Sequence, residues 1–378
     1  MSSTIEVKKV TDKKMMKQFI MLPWTAGIYK NDPAWSPMPI GDQKKMFDPT
    51  HGYFFEHGVV DYFIAFKDGV PAGRITAHTY SRYEERYDPT MGFFGFYECI
   101  DDDAVSRALL DTARAWLKER GKKKMMGPYS FTTYDSIGID VIGNNIMPVI
   151  TLYHFAPYYE RQFESYGLKK QVDWFCFLVT KDKLNWDFLN KVRTDIMKRH
   201  LDEGIRYVVT SQKEIDKRAQ VVKEIFNIAW EGNEAHLPFT DRHFDLLYKE
   251  LKLVIKPELA IFAEKEGKTI GFIFSIPDAN PAIAKLNGRL YPWRIVKALW
   301  ELRKTKTIRT ILMGVLPEHR GKDIDAVLIL YTIDNAIKLG YEKADCSLIA
   351  ETNKKMIGAL KYLNADAYKG YRVYEMTL

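Results

Sequence analysis

The sequence predicts a mixed α/β fold laid down twice along one chain, and three observations carry that expectation. A hairpin pattern, Phe63-Ile-Ala-Phe-Lys-Asp-Gly-Val-Pro-Ala-Gly-Arg-Ile75, recurs as Ile261-Phe-Ala-Glu-Lys-Glu-Gly-Lys-Thr-Ile-Gly-Phe-Ile273. The elements after each hairpin come in the same order: strand, helix, glycine, strand. The length, 378 residues, is too great for one ordinary core and comfortable for two.

Each hairpin reads as two strands around a tight turn, at Asp68-Gly69 or Glu266-Gly267, and the second strand has a glycine, Gly73 or Gly271, where backbones approach closely. In the first copy a strand over 93–98 leads into a helix over 104–120 that stops at Gly121. In the second a strand over 311–315 leads into a helix that stops at Gly340. Each half closes with a helix and an aromatic-rich strand: 158–166 and 174–178, then 354–363 and 371–376. Two tandem domains follow, 1–182 and 183–378, the second enlarged by an extra segment over 281–303.

Hydrophobic residues at 46% and aromatics at 13% describe a packed globular protein. The three cysteines, Cys99, Cys176 and Cys346, lie far apart in apolar runs, so neither a disulfide framework nor a metal site is expected. The N-terminus lacks the apolar stretch and cleavage site of a secretion signal, and charges interrupt every apolar run that could span a membrane. A cytoplasmic protein is expected. The formal charge of +7 is first of all that of a solvated, mildly basic surface; it would also help attract anionic partners such as nucleic acid, acidic lipid or a nucleotide-bearing cofactor. Nucleic acid is not expected as a partner, because Lys122-Lys123-Lys124 is too short a basic run.

The stretch Val315-Leu-Pro-Glu-His-Arg-Gly-Lys-Asp-Ile-Asp-Ala-Val-Leu328 stands between a strand and a long helix. A helix N-terminus presents unpaired N–H groups and the positive end of a dipole, which suits a pyrophosphate, and Arg320 and Lys322 add positive charge. Spacing alone allows equally a plain strand-to-helix turn capped by Asp323 or Asp325.

This stretch resembles motif A of the GNAT acyltransferases, in which a valine and a proline end the strand and Arg-Gly-x-Gly-x-Gly/Ala opens the helix. Val315, Pro317, Arg320, Gly321, Ile324 and Leu328 match it, whereas Asp323 stands where a phosphate-facing glycine is usual and Asp325 at the next small-residue position. The resemblance implies an acyl-CoA co-substrate held by Met313, Gly314, Val315, Arg320, Gly321, Lys322, Asp323, Ile324, Asp325 and Ala326. Ala350-Glu-Thr-Asn353 resembles motif B, with Asn353 beside the thiol end of CoA. Leu360 occupies the position of the family's usual acidic tyrosine, and Tyr362 would point to another face. In the first half, Glu98-Cys-Ile-Asp-Asp-Asp-Ala104 offers four carboxylates and no glycine, so CoA is not expected there and that half is read as structural.

Further stretches, among them Asp32-Pro-Ala-Trp35, Gly92-Phe-Phe-Gly-Phe96, Gly127-Pro128 and Gly288-Arg-Leu290, are similar to a group of bacterial tandem GNAT proteins that includes the bacterial ceramide synthases. That resemblance implies transfer of an acyl group from acyl-CoA to a primary amine, with a long-chain amino alcohol, a sphingoid base, as the acceptor class. A tRNA-dependent aminoacyl transferase, also built from paired GNAT-like domains, and a non-catalytic GNAT-like binding protein are the alternatives.

Acyl transfer needs a backbone N–H for the oxyanion and a base for the incoming ammonium. In this family the N–H comes from the strand before motif A, here Met313, Gly314 and Val315. For the base, the polar loop 230–239 supplies His236, Glu234 and Glu231, and Glu351 is a further candidate. His236 leads, since its reference pKa suits proton transfer at neutral pH. Glu98 is a weaker counterpart in the first half.

Within the extra segment, Trp293, Val296, Leu299 and Trp300 share one helical face, with Arg294, Lys297 and Arg303 offset from it. The ordinary use of such a stripe is to pack on the domain core. The other is to lie on a membrane surface or cover a lipid-binding groove, which would put the protein at the inner face of the membrane.

Overall fold

The computed structural model describes residues 3–378, and they form two compact units that are not consecutive in sequence. Unit 1 takes the chain up to Asp173 together with Asn280–Leu299 and Lys369–Leu378; unit 2 takes Trp174–Ala279 and Trp300–Tyr368.

In unit 1, β1 (Ile5–Lys9), β2 (Gly58–Lys67), β3 (Val70–Tyr80) and β4 (Met91–Cys99) pair antiparallel in that order. β5 (Lys124–Gly127) then joins β4 in parallel, and the short β6 (Ile139–Ile142) lies nearby in sequence. After β7 (Lys169–Thr180), unit 2 repeats the order. β8 (Ile205–Val209), β9 (Ala260–Lys265), β10 (Lys268–Pro277) and β11 (Thr307–Val315) pair antiparallel, and β12 (Lys343–Ala350) joins β11 in parallel.

The closing strands are exchanged between the two halves of the chain. β7, from the end of the first half, runs antiparallel to β12 from Trp174 to Thr180 and closes the sheet of unit 2. β13 (Asp366–Thr377), from the end of the chain, runs antiparallel to β5 and β6 and closes the sheet of unit 1.

Both hairpins turn as expected. Asp68 and Gly69 have φ of 51° and 79°, and Glu266 and Gly267 have 51° and 75°, the pair of positive values that lets a two-residue turn follow the twist of its strands. The ladder of the parallel pair in each unit stops short of the strand ends. β4 and β5 pair only as far as Phe93 and Met126, although β4 runs on to Cys99; β11 and β12 pair only to Thr310 and Cys346, although β11 runs on to Val315. In unit 2 this leaves a wedge beyond the parallel pair, whereas in unit 1 the chain after β5 stays on β4, with the Tyr129 N–H on the Phe94 carbonyl at 2.7 Å and the Phe96 N–H on Ser130 Oγ at 3.3 Å.

Helices cover the sheets through apolar faces. Asp103–Glu119 buries Val105, Leu109, Leu110, Ala113, Trp116 and Leu117, and the Asp102 carboxylate caps it by accepting the N–H groups of Ala104 (2.9 Å) and Val105 (3.2 Å). Such a cap contributes about 1 kcal/mol, and it occupies the helix end where unit 2 has its glycine turn. Ile324–Lys338 is apolar on most of its circumference: Ile324 and Leu328 pack on Ile261, Ala263 and Ile273, while Val327, Leu330 and Ile333 pack on Phe177, Val179 and Ile349.

The extra segment folds as helices Asn280–Leu286 and Pro292–Leu302. The expected packing of its apolar stripe on the core does not occur. At 100° per residue, Trp293, Val296 and Trp300 lie opposite Ala298, and Ala298 is the buried position, so these three remain 60%, 66% and 62% exposed. Ala298 is thus on the helix's inward side, and the bulky face is left outward.

Candidate functional site

Within unit 2, β11 ends at Val315 and a single 3-10 turn over Pro317–His319 leads to Gly321 and Asp323, both left-handed with φ of 75° and 62°. A Cβ placed on Gly321 would meet nothing within 4 Å, so the space above the turn is open. The first backbone bond into the helix is from Val327 N–H to the Asp323 carbonyl at 3.3 Å, which leaves the N–H groups of Ile324, Asp325 and Ala326 as the helix's outward donors. An open turn with three such donors at the positive end of a helix fits a pyrophosphate.

The turn is braced by side chains from the helix Met197–Asp202. Arg199 donates to the Asp323 carboxylate at 2.8 Å, and His200 donates through Nε2 to the Lys322 carbonyl at 2.6 Å while its Nδ1 accepts the Tyr207 hydroxyl at 2.7 Å. No motif marks Arg199 or His200, because they become neighbours of the turn only through packing. Arg320 points back to the protein, donating to the carbonyls of Ala229 and of Val315, the latter at 3.4 Å. Lys322 and Asp325 are exposed.

The loop 230–239 joins the helices Gln212–Ala229 and Asp241–Leu251 and is tied to β11, since Trp230 Nε1 donates to the Met313 carbonyl at 2.8 Å. A Cβ on Gly314 would stand 3.1 Å from Ala229 Cβ and 3.2 Å from the Phe272 ring, so glycine there lets the helix sit directly on the strand. His236 is 1% exposed and packed edge-on against the Phe226 ring. Glu234 is half-buried and accepts the Thr352 hydroxyl at 3.5 Å, which brings it beside Glu351 and Asn353 in sequence; Glu231 is exposed. Asn353 caps the helix Lys354–Tyr362 by accepting Met356 N–H at 3.2 Å. Leu360 is buried, whereas Tyr362 is exposed and stacks on Phe188.

Beside this strand lies an almost wholly apolar chamber of about 440 Å³ including its mouth, with Val222, Leu247, Phe274 and Leu312 among its walls. At the root of the wedge Asp345 is fully buried, accepting the Tyr368 hydroxyl at 2.7 Å and the Ser347 hydroxyl, with Arg309 at 3.8 Å. Burial raises the Asp345 carboxyl above its usual range and pushes the Cys346 thiol up to about 12, so Cys346 is no nucleophile at neutral pH.

Two mixed sheets with the same strand order, each holding one parallel pair, and a glycine turn feeding a helix N-terminus in unit 2 define a tandem fold of the GNAT class. Among solved structures the chain is similar to a tandem GNAT protein from the clavulanic acid biosynthesis pathway, with a TM-score of 0.56 at 12% identity over 99% of this chain and 98% of that one. It is also similar to a GCN5-related N-acetyltransferase from Sphaerobacter thermophilus, with a TM-score of 0.52 at 11% identity over 99% and 95%. At such identities the likeness speaks for the fold. No family model matches the chain.

Two curated proteins are nearer in sequence. Protein YghO of Escherichia coli (strain K12) is 31% identical over 375 residues, 98% of this chain and 94% of that protein. The bacterial ceramide synthase of Caulobacter vibrioides (strain NA1000 / CB15N) is 31% identical over 386 residues, 100% of this chain and 97% of that protein. The chain belongs to the family of these two proteins.

Proposed function

We propose that the protein transfers an acyl group from acyl-CoA to the primary amine of a long-chain amino alcohol, a sphingoid base. The observation that carries this reading is the open Gly321 turn at the head of the helix Ile324–Lys338. The N–H groups of Ile324, Asp325 and Ala326 would hold the pyrophosphate, with Lys322 adding charge and Arg320 fixing the turn. The Arg199 partner of Asp323 supports this assignment, because it offsets the carboxylate that would repel a phosphate.

In the reaction the neutral amine nitrogen forms a bond to the thioester carbonyl carbon, and the oxyanion takes an N–H of Met313, Gly314 or Val315. Collapse breaks the C–S bond and releases CoA. Glu234 is the base we favour over His236, because it is half-buried and reachable whereas His236 is nearly sealed among rings; Glu351 would assist from the facing segment. No acid is required at Leu360, since a thiol of ordinary pKa leaves as thiolate near neutral pH. The apolar chamber beside Leu312 supports a long hydrocarbon on one of the two substrates.

The reading extends to a cytoplasmic protein lying on the inner face of the membrane through the helix Pro292–Leu302. Among the described residues, no helix is long and apolar enough to cross a bilayer. The outward Trp293, Val296 and Trp300 support an interfacial seat, and Arg289, Arg294, Lys297, Arg303 and Lys304 surround them with positive charge.

The test is release of free thiol from a series of acyl-CoAs in the presence of an amine panel, with CoA binding measured in parallel. Thiol release that requires a long-chain amine is expected, and Gly321→Glu should abolish CoA binding at a local strain of about 1 kcal/mol from its positive φ. No thiol release with any pair would sink the reading, and unchanged CoA binding in the variant would move the cofactor elsewhere.

A further inference from the structure

Among the described residues unit 1 has no glycine turn like that at Gly321, yet it contains a cavity of about 680 Å³ including its open mouth. Phe96 and Glu98, from the part of β4 beyond its ladder with β5, line it together with Arg74 of β3 and Ser130. Trp24, Trp35 and Phe155 supply further aromatic wall, and Trp24 meets Trp35 edge-on with ring centroids 5.2 Å apart.

Among the described residues, the charges in and beneath this cavity pair off with one exception. Arg74, 5% exposed, lies 3.6 Å from Glu98, whose Oε2 accepts the hydroxyls of Tyr29 (2.7 Å) and Tyr159 (2.9 Å). Burial raises the Glu98 carboxyl, but the guanidinium and both phenol donors favour its ionised form. His154 bridges Asp140 at 2.9 Å and Asp32 at 2.8 Å, and the buried Lys369 reaches Asp140 at 2.7 Å. Burial opposes a charge on His154, yet its bonds to the two carboxylates outweigh it and raise the ring's pKa. Three cations, Arg74, His154 and Lys369, thus answer Glu98, Asp140 and Asp32.

Asp135 is left over. Its Oδ2 accepts the Thr132 N–H at 3.0 Å, the Thr132 hydroxyl at 2.8 Å and the Tyr53 hydroxyl, while Oδ1 has no partner among the described residues. A carboxylate oxygen with free acceptor capacity in an aromatic-walled cavity calls for a cation that can also donate N–H. Burying such a carboxylate unmatched is costly, and a cationic ligand relieves that cost.

We propose that unit 1 binds a primary ammonium ion carrying an apolar body, with its N–H groups on Asp135 Oδ1 and its body against Trp24 and Trp35. The site stands on unit 1 alone and is read without acyl-CoA, so its failure would leave the acyl-transfer reading untouched.

The experiment is calorimetric titration of the full chain with n-octylamine, n-octanol and n-octyltrimethylammonium at neutral pH. The amine is expected to bind about tenfold or more tighter than the other two, the scale of one charge-assisted hydrogen bond. Asp135→Asn should remove that preference without weakening the alcohol. Met46→Trp, which places a large ring on the cavity wall, should abolish amine binding. Equal affinity for the three ligands in the parent protein overturns the proposal whether or not Asp135→Asn folds. Amine binding that survives Met46→Trp puts the ligand elsewhere and overturns it as well.

Discussion

The guanidinium of Arg199 stands 2.8 Å from the Asp323 carboxylate, in the turn proposed above to hold a pyrophosphate. Both side chains are half exposed, so the pair adds little to stability, about 0–1 kcal/mol. Its consequence is for binding. Arg199→Ala should weaken CoA several-fold with little change in melting temperature, and adding Asp323→Ala should restore affinity. Calorimetry at low and high salt checks this, since screening should shrink the effect of the single variant. A double variant as weak as the single one would remove the electrostatic explanation.

Glu234 and His236 can be separated kinetically. Glu234→Gln keeps the shape of the side chain and its place beside Thr352 but cannot accept a proton, so kcat should fall by about 10²-fold or more while CoA affinity stays the same. His236→Phe should lower stability, through changed packing against Phe226, more than it lowers the rate per folded molecule. The opposite ranking in steady-state rates and urea midpoints would return the base to His236.

The helix Pro292–Leu302 should drive binding to anionic vesicles. Trp293→Ser with Trp300→Ser is expected to reduce co-sedimentation with phosphatidylglycerol-containing vesicles at least tenfold, and Lys297→Glu to reduce it less and mainly at low salt. Since all three side chains are exposed, folding stability should change by no more than about 0.5 kcal/mol. Equal binding to neutral and anionic vesicles, or a concentration-dependent dimer that the tryptophan changes abolish, would give this face another partner.

Asp135 makes stability depend on pH in a definite direction. Burial raises its carboxyl to about 6, against 3.8 for an unperturbed group, so the folded chain holds this proton more tightly than the unfolded one. Its contribution is most favourable below about 4 and is lost as pH rises through about 6, by up to ~3 kcal/mol from linkage. Asp135→Asn should flatten that part of the pH profile of the urea midpoint, and an unchanged slope would assign it to another group.

Much of the architecture was legible in the residues. Asp68-Gly69 and Glu266-Gly267 announce their turns because few residue pairs accept two positive φ values, and the helix Asp103–Glu119 shows its buried face as an apolar stripe. The strand exchange was not legible. β7 and β13 are both aromatic-rich antiparallel strands at the end of a repeat, and nothing in their own residues states which sheet each one closes. The cavity of unit 1 was hidden for a related reason: Trp24, Arg74, Glu98, Asp135 and His154 are scattered along the chain and share no spacing.

The repeated element order, the turn at Gly321 and the helix it opens are written in the residues, because these depend on backbone conformation and periodicity within a few residues. Folding adds that Asp323 is answered by Arg199, that the Trp293 stripe faces outward, and that unit 1 contains a charged, aromatic-walled cavity. Those outcomes turn on which distant side chains share space. Packing and charge pairing set that, and local propensity does not.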